Sequence, residues 1–200
     1  MEKILLVTAS KKSADMLLEL IQAGGQRPDR ILVTGSCNEA RRVLIENNVD
    51  LIVINTPLTD EFGHEFAVHA CHTTTAGVLM LVKSDLADSV AERVESDGVF
   101  VITKPISRPL FYQTLHLVNA SRMRVYTLQK ENRQLRQRIE DIRVIDRAKC
   151  ILVAERHMSE PEAHAYIEKR AMNYRQTKRD VAEEIIRSFR LTFLFTKKEK

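Results

Sequence analysis

Asp50-Leu51-Ile52-Val53-Ile54-Asn55 is the stretch that decides the fold. Its four consecutive apolar residues, three of them β-branched, are typical of a strand that is buried on both faces of a parallel sheet. Similar short apolar runs occupy residues 4–7, 31–33, 78–82 and 99–102. Helix-like stretches and turn residues such as Asp97-Gly98 separate these runs. The alternation predicts a doubly wound (βα)₅ domain of the α/β class over residues 1–120.

The composition is that of an ordinary globular protein, and it excludes several other classes. No apolar run approaches the ~20 residues of a membrane span, and Glu2-Lys3 lead into the first strand without a signal-peptide pattern. The three cysteines are odd in number and scattered, which indicates free thiols in a reducing compartment. We therefore expect a cytoplasmic protein without a membrane segment.

The charge is distributed unevenly along the chain. Residues 1–120 hold 11 Lys/Arg against 15 Asp/Glu, a net charge of −4, whereas residues 121–200 hold 20 against 12, a net charge of +8. The second segment is therefore the one that would attract a polyanion. On charge alone, the alternative interpretation is a solvated helical surface.

A heptad pattern begins where the strand signals stop. Its a and d positions are Val118, Val125, Leu128, Asn132, Leu135, Ile139 and Ile142, with Ser121 as a weak d position. The pattern predicts a helix over residues 121–142 that pairs with a second copy in a coiled coil. Asn132 at an a position favours a parallel dimer in register. The alternative is a long surface helix packed within one chain. The expected dimer contacts are Val125, Leu128, Asn132, Leu135 and Ile139.

Three short amphipathic segments follow the heptads and predict a helical bundle over residues 143–190, since each alone is too short to be stable. The second segment opens with Ser159-Glu160-Pro161-Glu162, which is a capping box. The third starts near Thr177. Residues 191–200 form a tail, and its apolar residues 191–195 are expected to cover the bundle or the partner chain.

The first 120 residues resemble the response-regulator receiver domain, which has a flavodoxin-like (βα)₅ fold. The spacing from Asn55 to Gly63 and Glu65 carries the resemblance, together with the pair Lys104-Pro105. In that family a phosphorylatable Asp stands at the position of Asn55. An amide is a poor nucleophile toward phosphorus and cannot share a Mg²⁺ ion as a carboxylate does.

Further positions depart from the receiver pattern. Thr8-Ala9 replaces the acidic pair that holds Mg²⁺, Val82 replaces a hydroxyl residue, and Val101 replaces an aromatic residue. Lys104 survives, and we expect it to bond to Asn55 or to a backbone carbonyl as a structural tie. The resemblance therefore implies a pseudo-receiver that is not phosphorylated.

Residues 129–188 resemble the ANTAR domain, the RNA-binding module of the AmiR and NasR transcription antitermination regulators. The matching residues are spread over three helices: Arg147-Ala148-Lys149, Leu152, Ser159-Glu160-x-Glu162-Ala163, Ala171-Met172 and Asp180-Val181-Ala182. Cys150 and Val153 depart from the usual Gly and Met. The resemblance implies binding to paired hairpins in a nascent leader transcript, which prevents a terminator from forming.

The candidate RNA contacts are the cations of the bundle and polar or aromatic residues beside them. Phosphates and splayed loop bases are what such side chains recognise. The predicted contacts are Arg147, Lys149, Arg170, Asn173, Tyr174, Arg175, Lys178 and Arg179, with Lys149 expected opposite the apolar stripe of its helix. The alternatives are solubilising cations and a Tyr174 that belongs to the core.

No pattern for an enzyme, a metal ion or a cofactor is present in the sequence. The spacing of His69, Cys71 and His72 does not place three ligands on one face of a helix. We interpret the chain as a non-enzymatic, homodimeric, RNA-binding antiterminator. The alternatives are a conventional response regulator switched by phosphorylation and a dimeric adaptor, including one whose pseudo-receiver binds a regulatory protein partner.

Overall fold

The computed structural model describes residues 3–25 and 27–196, with side chains as far as residue 189. The chain divides into two compact units, Met1–Leu128 and Gln129–Lys200. The strands β1 to β5 span Lys3–Thr8, Arg30–Thr34, Leu51–Asn55, Gly77–Lys83 and Val99–Lys104. The helices α1 to α7 span Lys11–Ala23, Cys37–Glu46, His64–Thr73, Ala87–Val94, Arg108–Arg156, Glu160–Tyr174 and Lys178–Thr196.

The first unit is a five-stranded parallel sheet in the order β2-β1-β3-β4-β5. Alternate residues of the central strands face opposite sides, so Leu51 and Val53 pack under α1 and α5, whereas Ile52 and Ile54 pack under α2, α3 and α4. The strand order is that of the flavodoxin-like doubly wound fold, and the predicted fold is confirmed. Side chains at the carboxyl ends of the strands meet at one edge, where ligands bind in such sheets.

The start of α5 belongs to the core of this unit. Phe111, Leu115 and Val118 are buried against α1 and the sheet. Val118, the first position of the heptad pattern, precedes the predicted coiled coil of residues 121–142. It lies on Gly77 of β4 so closely that a Cβ on Gly77 would collide with it. Arg122, one turn further on, forms an ion pair with Asp50.

The second unit is a helical bundle of the carboxyl part of α5 with α6 and α7. Its core consists of Ala148, Leu152, Ala163, Ile167, Ala171, Val181, Ala182 and Ile185. The predicted capping box is present at the start of α6, where the Ser159 backbone N–H donates to Glu162 Oε2 at 2.8 Å.

The last helix, α7, extends to Thr196 and so continues beyond the predicted end of the bundle at residue 190. The predicted packing of the apolar side chains at 191–195 lies outside the described residues. Among the helices that are described, none is long and apolar enough to cross a bilayer.

Candidate functional site

The first candidate site is the carboxyl edge of the sheet, where Thr8 ends β1 and Asn55 ends β3. The two residues are register partners. Asn55 Nδ2 donates to Thr8 Oγ1 at 3.1 Å, and Thr8 is only 4% exposed. An amide and a hydroxyl therefore bond to each other at the place where the receiver pattern has carboxylates.

Lys104 ends β5 at the same edge, and its Nζ donates to the backbone carbonyl of Thr56. Of the two ties expected from the sequence, the structure shows the one to a backbone carbonyl. Burial, with a smaller contribution from Lys83, lowers the pKa of the Lys104 ammonium. Thr56 is buried and donates its hydroxyl to the Leu81 carbonyl at 2.9 Å. Lys104 thus holds the turn that follows Asn55.

The other positions of the receiver pattern, Ala9, Val82 and Val101, carry apolar side chains. Val82 is fully buried in the core under α2, α3 and α4, and Val101 packs half-buried against the same core. Ala9 is exposed. Ser84 donates its hydroxyl to the Lys104 carbonyl at 2.7 Å and so joins the turn after β4 to β5.

The nearby carboxylates have other partners. Asp60 accepts from the backbone N–H groups of Cys37 at 3.0 Å and Asn38 at 2.9 Å, at the start of α2. The bond from Asn38 lowers the pKa of Asp60 most. Asp50, at the opposite end of β3, accepts from the Lys3 N–H at 3.0 Å and pairs with Arg122. Within residues 3–25 and 27–196, no group of three His, Cys, Asp or Glu residues could hold a metal ion.

The second candidate site is a stripe of exposed apolar residues along α5, which we call the α5 stripe. Its side chains are between 41% and 58% exposed: Val125, Leu128, Leu135, Ile139 and Ile142. Asn132 lies among them and is also exposed. Large apolar side chains at heptad spacing indicate an interface that a single chain leaves uncovered.

The stripe ends where α5 becomes part of the bundle. Asp141 pairs with Arg179 of α7 at 2.6 Å and accepts from Gln137 at 2.9 Å. The Arg179 bond, followed by the Gln137 bond, lowers the pKa of Asp141. Arg143 pairs with Glu140 of its own helix at 2.7 Å.

Lys149 is one of four predicted RNA contacts that the structure places in ion pairs. Its Nζ lies 2.8 Å from Asp146 and 3.0 Å from Glu160, and its side chain is 15% exposed. These hydrogen bonds, with the one to Asp146 contributing most, raise the pKa of Lys149. Lys149 was expected on the face of its helix opposite the apolar residues that pack in the bundle. This expectation is wrong, since its side chain packs between α5 and the start of α6.

Arg170, Lys178 and Arg179 connect helices in the same way. Arg170 lies 2.9 Å from Glu184 and 5.8 Å from the centre of the Tyr174 ring, and the hydrogen bond that it donates to the Tyr166 hydroxyl oxygen raises its pKa most. Lys178 pairs with Glu168. Arg179 reaches both Asp141 and Glu183. These cations stabilise the packing of α5, α6 and α7.

The remaining predicted RNA contacts are exposed. Three of them lie together at the end of α6: Asn173, Tyr174 and Arg175. Tyr174 is 69% exposed, which excludes the alternative of a core residue. Arg175 ends the helix in the left-handed region with φ 51°. Met172 beside them is 80% exposed. We call these four residues the α6 end surface.

Arg147, the fourth exposed residue, lies elsewhere in the bundle, in a cleft between α5 and α7. The cleft has a volume of about 380 Å³ and an apolar floor of Val144 and Ile186. Arg143 and Arg187 line it with Arg147. Neither Arg143 nor Arg187 is among the RNA contacts predicted from the sequence. The i, i+4 spacing of Arg143 and Arg147 places them on one face of α5, but nothing local in the sequence pairs them with Arg187.

Comparisons with known proteins agree with this architecture. Residues 133–186 match the model of the ANTAR domain. Over 152 residues the chain is 24% identical to the transcriptional regulatory protein PdtaR of Mycobacterium tuberculosis. The aligned region covers 76% of this chain and 74% of PdtaR.

Solved receiver structures share the fold of the first unit. The signal receiver domain of an HD-domain-containing protein from Pseudomonas fluorescens aligns with a TM-score of 0.54 at 16% identity, covering 63% of this chain and 92% of that one. The receiver domain of the response regulator TorR aligns with a TM-score of 0.50 at 21% identity, covering 59% of this chain and 97% of that one. The chain therefore joins the fold of a receiver domain to a C-terminal segment that matches the ANTAR domain.

Proposed function

We propose that this protein is a cytoplasmic, homodimeric regulator that binds hairpins in nascent leader RNA and prevents transcription termination, and that its receiver fold is not phosphorylated. The observation that carries the proposal is the α6 end surface, in which Tyr174 and Arg175 are exposed on a domain that matches ANTAR. An exposed aromatic ring beside a cation is the combination that stacks on an unpaired base and grips its phosphate.

The loss of phosphorylation is supported by the bond between Asn55 and Thr8. Phosphoryl transfer to a receiver requires a carboxylate nucleophile and carboxylate ligands for Mg²⁺. Here those positions hold an amide, a hydroxyl and the methyl group of Ala9, and Asp50 and Asp60 are engaged elsewhere. We infer that the protein reaches its active form without a phosphoryl group.

The dimer is supported by the α5 stripe. Four apolar side chains from Val125 to Ile139 are about half exposed at a and d positions, so pairing with a second copy would remove them from water. A parallel pair would present two bundles to one RNA. Two linked contacts raise avidity for a two-hairpin RNA without any new interaction.

The predicted RNA surface is narrower than the sequence suggested. Of the eight proposed contacts, Asn173, Tyr174, Arg175 and Arg147 are exposed and are retained in the proposal. Lys149, Arg170, Lys178 and Arg179 hold helices together through ion pairs. We assign these four a supporting role in the fold of the bundle, and the first four the contact with RNA.

The test is fluorescence anisotropy with the full chain and two RNAs, one with a single stem-loop and one with two. We expect tighter binding to the two-hairpin RNA. Tyr174→Ala should lose ~1–3 kcal/mol of binding free energy with an unchanged salt dependence, as expected for loss of a stacked base. Tyr126→Ala, which removes a similarly exposed ring from α5 outside the stripe, is the matched control and should bind as the parent does.

Arg175→Ala tests the cation separately from the ring. The slope of log affinity against log salt should flatten by about one phosphate contact, ~0.7 for single-stranded RNA. Equal affinity for duplex DNA and for the hairpins would contradict the proposal. So would an RNA affinity that neither Tyr174→Ala nor Arg175→Ala changes, and this result would favour the dimeric adaptor instead.

A further inference from the structure

A cavity of about 610 Å³ lies between α1 and α5 and reaches the carboxyl edge of the sheet. Its wall includes Met16 and Leu20 of α1, Asn55 and Lys104 of the strands, and Arg108 and Tyr112 of α5. The volume lies within the range of small-molecule sites, ~300–1,000 Å³. None of the RNA contacts proposed above takes part in it.

Asn55 and Lys104 give the cavity a polar lining at the carboxyl edge of the sheet. Asn55 and Lys104 are both half-buried there. Asn55 uses one amide N–H for Thr8, and Lys104 uses one of its three donors for Thr56. Within the described residues, the Asn55 amide oxygen and the further N–H groups of both side chains make no other hydrogen bond, which leaves them for a ligand. Arg108 is exposed at the cavity mouth and makes no ion pair within the described residues.

The side of the cavity is apolar. Met16 is 44% exposed and Leu20 is buried at its floor. Tyr112 lines the cavity and packs beside Gly24, the residue after α1, where an added Cβ would lie 3.0 Å from Tyr112 Cδ1. A ring or short chain would be covered on two sides by these residues.

The charge at this edge is the reverse of that in the receiver pattern. Where that pattern has three carboxylates, this chain has Thr8, Ala9 and Asn55. The cations Lys104 and Arg108 line the cavity against a single carboxylate, Glu19 on α1. Two cations against one carboxylate favour an anionic ligand in this cavity.

We propose that the cavity between α1 and α5 binds a small organic anion, with its carboxylate or phosphate group against Lys104 and Arg108 and its apolar part against Met16, Leu20 and Tyr112. Charge-assisted hydrogen bonds fix the anionic group, and the apolar wall selects ligands with a hydrophobic body over inorganic anions. Binding here does not require that the bundle bind RNA.

The experiment uses the full chain with methionine methyl groups labelled with ¹³C and follows their NMR signals during titration with phenyl phosphate, benzoate and inorganic phosphate. Met16 lies in the cavity, whereas Met172 lies in the other unit and serves as an internal control. We expect saturable shifts of the Met16 signal with phenyl phosphate and benzoate, no shift of Met172, and weaker binding of inorganic phosphate.

Calorimetry on variants assigns the contacts. Arg108→Ala should weaken phenyl phosphate binding by about tenfold or more, as expected for the loss of a charge-assisted bond. Arg93→Ala removes an equally exposed cation from α4, away from the cavity, and should leave the affinity unchanged. Met16→Trp, at a half-exposed position, should fill the cavity and abolish binding, with the melting temperature confirming that the variant folds.

Three results would overturn the proposal. The first is the absence of saturable binding of all three anions in the millimolar range. The second is binding that is equally weakened by Arg108→Ala and Arg93→Ala, which would indicate only general charge attraction. The third is a Met16 signal that responds to the concentration of the chain itself and to none of the anions, which would identify the face as a contact between protein molecules.

Discussion

The carboxyl edge of the sheet and the end of α6 use similar side chains in opposite ways. At the edge, Asn55 bonds to Thr8 and Lys104 bonds to the Thr56 carbonyl. At the end of α6, Tyr174 and Arg175 face solvent. Polar groups that bond to their neighbours stabilise the fold, whereas exposed rings and cations grouped at a helix end are available to a partner. This difference supports our proposal that RNA is recognised by the C-terminal unit.

The prediction with the largest expected effect concerns phosphorylation. Its failure would contradict the difference that we draw between the two regions. Incubation with acetyl phosphate and Mg²⁺ should give no increase in mass, because the nucleophile and the metal ligands are both missing. Asn55→Asp alone should also remain unmodified, since Thr8 and Ala9 still provide no carboxylate for Mg²⁺. Intact-mass spectrometry measures both results.

The matched control is a triple variant, Thr8→Asp, Ala9→Asp and Asn55→Asp, which restores all three carboxylates. We expect this variant alone to gain an acid-labile phosphoryl group. A stable phosphoryl adduct on the parent protein would show that the edge is chemically competent and that the receiver fold is a conventional switch.

The second prediction tests the α5 stripe. Leu135→Glu should convert a dimer into a monomer, because each buried Leu side chain contributes ~1.5–3 kcal/mol and the symmetric dimer loses two of them. Gln134→Glu places the same charge on the neighbouring exposed position and should remain dimeric. Sedimentation at micromolar concentrations distinguishes them, and a monomeric parent would contradict the coiled-coil interpretation.

The third prediction concerns Asn132, which is exposed at an a position of the stripe. Asn132→Ile should raise the melting temperature, since an apolar pair replaces a polar one, and should loosen the register or the number of chains. Sedimentation and thermal unfolding measure the two effects together. A lower melting temperature with an unchanged dimer would mean that Asn132 does not face a second copy.

The prediction with the smallest expected effect concerns two cations of the bundle, Lys149 and Arg175. Lys149→Ala should lower the free energy of unfolding by about 1 kcal/mol, because it removes two partly exposed ion pairs. It should leave the salt dependence of RNA binding unchanged. Arg175→Ala should leave the free energy of unfolding unchanged and should flatten the salt dependence of RNA binding. A flattened salt slope for Lys149→Ala would return Lys149 to the RNA surface.

Sequence reasoning was sufficient for the fold, because strand periodicity and turn residues are local signals. It left open what Val118 packs against, because two periodicities overlap there. Val118 continues the heptad of Val125 and Asn132, yet it also continues the 3.6-residue stripe of Phe111 and Leu115 that packs on the sheet. Only the contact with Gly77, far away in sequence, decides between them.

The candidate site was less predictable for a related reason. Lys149 and Arg175 are both cations in a basic segment, and the sequence does not distinguish them. Lys149 meets Glu160, which is eleven residues later and on another helix, and Arg170 meets Glu184 in the same way. Such pairs depend on the packing of the bundle, so charge alone overestimated the number of cations available to RNA.

Single-round transcription in vitro tests the central claim most directly. The template carries two hairpins that overlap a terminator, and the protein is added without any phosphoryl donor. We predict that the protein increases read-through and that acetyl phosphate does not change this effect. The Tyr126→Ala variant should still increase read-through, whereas the Tyr174→Ala variant should not. Read-through that requires acetyl phosphate, or that Tyr174→Ala leaves intact, would contradict the account.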